Sequence, residues 1–169
     1  MHRMVGDNDL MSDAGDFAMA ADVMLGRLVR WLRLMGFDVL YSNRWEDAVL
    51  ASVAARENRW LLTRDRDLLR RYAVRKHLFI TSDVLGAQLR QVLANRTPDP
   101  RRYFTRCVRC NDRLVPASSE EVCSLVPVHI LRTESDFHHC PRCRRVYWHG
   151  THREQALSYL DEILGTHQH

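Results

Sequence analysis

Two Cys-x-x-Cys pairs, Cys107/Cys110 and Cys140/Cys143, restrict the last third of this 169-residue chain more tightly than any other feature. A two-residue gap lets one tight turn aim both sulfurs at a single ion, and four thiolates presented in this way suit tetrahedral zinc. The surrounding segment is too poor in large apolar residues to build a core alone, so an ion is the staple it needs. Four thiolates also close the coordination shell, which makes the expected zinc structural. Residues 111–139 separate the pairs. Cys123 is left over and reads as a small buried hydrophobe. His138 and His139 abut Cys140 as substitute ligands that a complete four-cysteine set does not need. Tyr147, Trp148, His149 and His152 lie just beyond; packing against the rest of the chain is expected of them, with base stacking as the alternative.

In front of the cysteines, short apolar runs alternate with helical periodicity. Strands are expected over 17–21, 37–41, 60–63 and 77–81, and helices over 23–35, 47–57, 66–72 and 84–95. Such alternation implies an α/β unit whose parallel sheet is covered on both faces, with the strand C-termini along one edge. A Pro-rich stretch over 97–103 reads as a linker. The expected organisation is therefore a disordered leader over 1–16, an α/β unit over 17–96, the linker, and a ribbon with a final helix over 104–169. Ser118/Glu121 and Thr151/Glu154 each match a capping box, the second opening a helix over 155–164.

No apolar stretch approaches the ~20 residues that span a bilayer, and no signal-peptide pattern is present, so no membrane partner is expected. Paired and odd-numbered cysteines fit a reducing cytoplasm better than a disulfide framework. The net charge is +4 with a pI near 9.0, and Lys76 is the only lysine. Positive charge carried by arginine favours phosphate contacts, hence a nucleic-acid partner.

Asp22 follows the first expected strand, Asp65 and Asp67 the third, and Asp83 the fourth, while Asp47 opens the helix after the second. In an open parallel sheet these positions converge on the crevice where ligands bind. Carboxylates gathered there repel one another unless a cation neutralises them, and oxygen-only ligands suit Mg²⁺ or Mn²⁺. The competing reading for each is helix capping, a role aspartate favours. Arg64 sits in the same turn as Asp65. Arg27, Arg30 and Arg33 recur every three residues on the first helix, as a solvated face or, beside a metal, a grip on a phosphate backbone.

These segments together resemble a known family. DVMLGRLVRWLRLMG from Asp22, LLTRDRDL from Leu61, CVRCN from Cys107, CPRC from Cys140 and VYWHGTH from Val146 are similar to the Mut-seven C-terminal-type ribonuclease domain family, in which a PIN-like nuclease domain is fused to a zinc ribbon. The resemblance implies a PIN-like parallel sheet flanked by helices, a metal-dependent ribonuclease activity, and an acidic set at Asp22, Asp47, Asp65 and Asp67 with Asp83 as a further candidate. Asp22, Asp47 and Asp65 would hold the catalytic Mg²⁺ or Mn²⁺. Arg27, Arg30, Arg33 and Arg64 would meet the RNA. Two rival readings are a non-catalytic RNA-binding or ribosome-associated protein and a receiver-like phosphoacceptor domain. The latter requires a lysine after a late strand, whereas Lys76 precedes the fourth.

Overall fold

The computed structural model describes residues 17–165; the leader expected over 1–16 lies outside them. The first half is a four-stranded parallel sheet built from β1 (Met19–Ala21), β2 (Val39–Tyr41), β3 (Trp60–Thr63) and β4 (His77–Phe79), in the order β2-β1-β3-β4. Intervening helices are α1 (Gly26–Leu34), α2 (Asp47–Arg56), α3 (Arg66–Tyr72) and α4 (Leu85–Leu93). A 3-10 turn, Val23–Leu25, leads into α1.

Strand residues alternate between two cores because side chains alternate across a pleat. Met19, Ala21, Val39, Leu62 and Ile80 pack with α1 and α4, where Leu28, Leu32, Leu89 and Val92 point inward. Ala20 and Leu61 face the other way, onto Leu50 and Ala54 of α2 and Leu68 of α3. Both faces are thus covered, which is why these strands are short, nearly continuous apolar runs.

The ribbon is a separate antiparallel sheet of β5 (Val115–Ala117), β6 (Phe137–His139) and β7 (Val146–Trp148). Its small core joins Phe137 to Val122 and Val126, with Trp148 packed beside them. Two short helices, α5 (Ser119–Val122) and α6 (Val128–Thr133), fill the long gap between the cysteine pairs. The Ser118/Glu121 capping box forms at α5.

The final helix α7 (Thr151–Leu164) departs from expectation at its start. Gly150 is its N-cap, with no side-chain capping bond, so the Thr151/Glu154 box does not form. Its apolar residues leave the ribbon: Leu160 and Ile163 are buried in the main core against α1 and α4, and Tyr159 lies 4.7 Å from Trp31 between ring centroids.

The chain at the end of the expected linker, and just past it, is tied to the first half. Phe104 N–H donates to Leu34 O at 2.7 Å, and Arg106 Nε donates to Gly36 O at 3.2 Å. Gly36 permits this approach: its φ is +84°, and a Cβ there would lie 2.3 Å from Arg102 O.

A polar latch completes the junction. Val39 belongs to the edge strand β2, and its outward backbone groups would otherwise be buried without partners. Asn111 Oδ1 accepts from Val39 N–H at 3.1 Å, while Arg33 Nε and Nη2 donate to Val39 O at 3.0 and 2.8 Å. Arg33 Nη1 then reaches across to Val108 O and Arg109 O at 3.1 and 2.8 Å. Asn111 Nδ2 donates to Asp38 Oδ1 at 2.7 Å, and Arg59 pairs with the same carboxylate at 2.9 Å.

Candidate functional site

The chain leaves β1 toward β2 on one side and leaves β3 toward β4 on the other. The crevice beyond β1 and β3 is therefore the topological switch point, where open α/β sheets hold ligands. Asp22 lies there, 6% exposed. Its backbone N–H donates to Leu62 O at 3.0 Å, which fixes it to the neighbouring strand. Thr63 Oγ1 donates to Asp22 Oδ2 at 2.8 Å and accepts from Asp65 N–H at 2.9 Å, so one hydroxyl ties the two acidic positions together. No Arg, Lys or His among the described residues pairs with Asp22. A buried carboxylate without a cationic partner is costly, and a cation or the donors of a ligand would relieve it.

The other acidic positions are engaged or peripheral. Asp65 Oδ1 accepts from Asp67 N–H and Leu68 N–H at 2.7 and 3.1 Å, making Asp65 the N-cap of α3. Asp67 is exposed and pairs with Arg70, whose hydrogen bond and charge hold its carboxyl below the usual range. Asp47 lies 3.8 Å from Arg71. Asp83 is exposed. Among the described residues, these carboxylates do not bring three ligand atoms within 4.8 Å of one another. The oxygen donors at Asp22 and Asp65 still suit a hard cation, because Mg²⁺ commonly takes only one or two carboxylates and completes its shell with water and substrate oxygens.

The four cysteines do converge: the Sγ atoms of Cys107, Cys110, Cys140 and Cys143 all lie within 4.8 Å of one another. The two turns share one geometry. Asn111 N–H donates to Cys107 O, and Arg144 N–H to Cys140 O, each at 2.9 Å. Both residues following the pairs are left-handed, at φ 71° for Asn111 and 57° for Arg144. Burial pushes the Cys107 thiol up, but hydrogen bonds from the Tyr147 hydroxyl and the Cys110 and Arg109 amides outweigh it and bring it to about 7. Burial, the Cys143 thiol and the charge of Cys107 push Cys110 up to about 12. Cys140 is raised too, chiefly by burial. Four sulfurs converging on one point are the donor set of a tetrahedral metal site.

Two expectations change, at Arg33 and Cys123. Arg33 does not share the face of Arg27 and Arg30: it is 4% exposed, and its guanidinium serves the carbonyls of Val39, Val108 and Arg109. Cys123 is exposed rather than buried. His138 turns to Asp136, with Nδ1 3.3 Å from Oδ1, and is not part of the sulfur cluster. Arg27 and Arg30 are exposed on α1, Arg64 is half-buried, and His152 is exposed. Asn111 and Tyr147 acquire roles that the spacing alone did not signal. The position after a Cys-x-x-Cys turn often requires φ > 0, and Asn is among the residues that tolerate it.

No helix among the described residues is long and apolar enough to cross a membrane. The family model described as Mut7-C RNAse domain matches residues 17–160. No curated protein matches the chain.

Proposed function

The chain belongs to the Mut7-C RNAse domain family, and from that premise we propose that it is a metal-dependent ribonuclease hydrolysing phosphodiester bonds at the crevice beyond β1 and β3. The observation that carries this reading is Asp22, a buried carboxylate at the switch point, oriented by Thr63 and left without a cationic partner. Asp22 and Asp65 would hold Mg²⁺ or Mn²⁺, with Asp47 as an outer acid. When bound, the ion supplies acidified water and offsets charge on the phosphate. Thr63 keeps Asp22 oriented while its own oxygen receives the Asp65 amide, so the turn after β3 and the end of β1 act as one rigid unit. Arg27, Arg30 and Arg64 position the strand's phosphates. The unit over 17–96 is PIN-like, and the four cysteines hold a structural zinc.

The decisive experiment is cleavage of mixed RNA with and without added Mn²⁺, comparing the parent with Asp22→Asn. Loss of cutting in a folded variant is expected. Equal rates would sink the mechanism. A second reading, a non-catalytic RNA-binding protein, is favoured by one observation: Asp65 already caps α3. Crystals soaked in Mn²⁺ with no ion at Asp22 would select it.

A further inference from the structure

Between α1 and the first cysteine turn runs a cleft of about 570 Å³. One wall carries Arg27 and Arg30; the other carries Arg109, inside the first Cys-x-x-Cys, and Arg145, just past the second. Tyr41 and Val108 contribute to its lining. A smaller hollow of about 270 Å³ continues it past Trp31. Arg33, which also touches the cleft, is satisfied by backbone carbonyls. The other four guanidiniums have no carboxylate partner among the described residues. Some arginines elsewhere are paired, Arg59 with Asp38, Arg101 with Asp99 and Arg142 with Asp112, so the cleft is set apart by gathering four unpaired ones in one concavity.

Four like charges gathered in a concave site repel one another and concentrate positive potential there, and an anion relieves both. Guanidinium forks on two opposed walls match the repeating phosphates of a strand better than a single small anion. One residue of the cleft wall also reaches toward the acidic crevice. Tyr41 lines it, and Tyr41 Oη donates to Val23 O at 3.1 Å, one residue beyond Asp22.

We infer that this cleft is the track of a single RNA strand, gripped from one side by Arg27 and Arg30 and from the other by Arg109 and Arg145. The inference rests on RNA being the substrate, as proposed above, and assigns the ribbon a direct part in binding it. The cysteine site then sets the position of one wall, because Arg109 and Arg145 stand on the turns that carry the sulfurs.

The test is fluorescence anisotropy of a short labelled oligouridine with the full, zinc-loaded chain, without added Mg²⁺, over a range of salt. Each single-strand phosphate contact contributes about 0.7 to the slope of log K against log salt. Arg109→Ala/Arg145→Ala is therefore expected to reduce the slope by about 1.4, with zinc content unchanged by elemental analysis. Arg27→Ala/Arg30→Ala, on the wall that bears no cysteine, should lose as much, which keeps the test valid if the ribbon pair disturbs zinc. Arg75→Ala/Arg132→Ala removes the same charge outside the cleft and should leave the slope in place. Equal losses in all three pairs, or no loss in the first two, overturn the inference. A parent that cuts RNA while both cleft pairs bind normally overturns the track and leaves the ribonuclease standing. A parent that binds through the cleft without cutting supports the track and removes the ribonuclease.

Discussion

Replacing Asn111 with alanine tests how the ribbon is held to the sheet. Asn111 is 7% exposed, and its amide accepts from the outward N–H of Val39 while also donating to Asp38. Alanine leaves the Val39 N–H buried and unpaired, at about 1–3 kcal/mol. It also forces a Cβ residue without local hydrogen bonding to hold φ 71°, at about 1 kcal/mol. The sum is about 3 kcal/mol. For a chain of this size that corresponds to a fall in melting temperature of about 6–12 °C. Asn111→Gly loses the same hydrogen bonds but tolerates the left-handed backbone, so it should fall about 1 kcal/mol less than alanine. Thermal unfolding of all three proteins, with zinc in excess, measures both differences. An Asn111→Ala protein within 0.5 kcal/mol of the parent would refute the latch, as would a glycine variant no more stable than the alanine one.

Cys107→Ser should abolish stoichiometric zinc by elemental analysis and loosen the ribbon in hydrogen exchange, while the four-stranded sheet keeps its protection. Asp65→Asn should keep the cap on α3 and change stability by about 1 kcal/mol or less, yet remove RNA cleavage; a variant as active as the parent would dismiss Asp65 from the site. Burial pushes the Asp38 carboxyl up, but hydrogen bonds from Arg59 and Asn111 and the charges of Arg59 and Arg106 hold it below the ordinary range. A depressed folded value means the stabilisation is present at neutral pH and fades as pH falls below about 4. Asp38→Asn should therefore flatten the acid limb of stability against pH, measured by urea denaturation, and an unchanged limb would contradict this.

The α/β half was largely legible because its signals are local. Trp60–Thr63 is a bounded apolar run, and Arg66–Tyr72 follows an aspartate that does cap it. The cysteine spacing likewise announced its own turn. What escaped depends on residues distant in the chain. Nothing near Arg33 shows that its guanidinium will meet carbonyls some 75 positions away, so on a helical wheel it joins the polar stripe. The apolar stripe of α7 was visible, but not which core it would join. Helix α6 was missed because Pro127 starts a six-residue segment with no buried residue and hence no periodicity to read. Topology brings Asp22 and Asp65 to one edge, where Thr63 joins them, whereas Asp67 and Asp83 follow strands as expected but face solvent.

The return of α7 to the first core changes what loss of a metal from the four-cysteine site would mean for this molecule. Leu93 ends α4 and Thr151 begins α7, and the two helices touch, so the whole ribbon is topologically a loop inserted between neighbours. With its sulfurs clasped the loop is stiff and its ends are already close. Unclasped, it becomes a slack tether of nearly sixty residues (94–150), whose closure costs on the order of 3–4 kcal/mol of chain entropy. That cost falls on the seating of α7, and through it on the apolar flank of α1 and α4. A chain cut at the Pro-rich stretch would keep the sheet and its four helices but lose the helix that packs on α1 and α4.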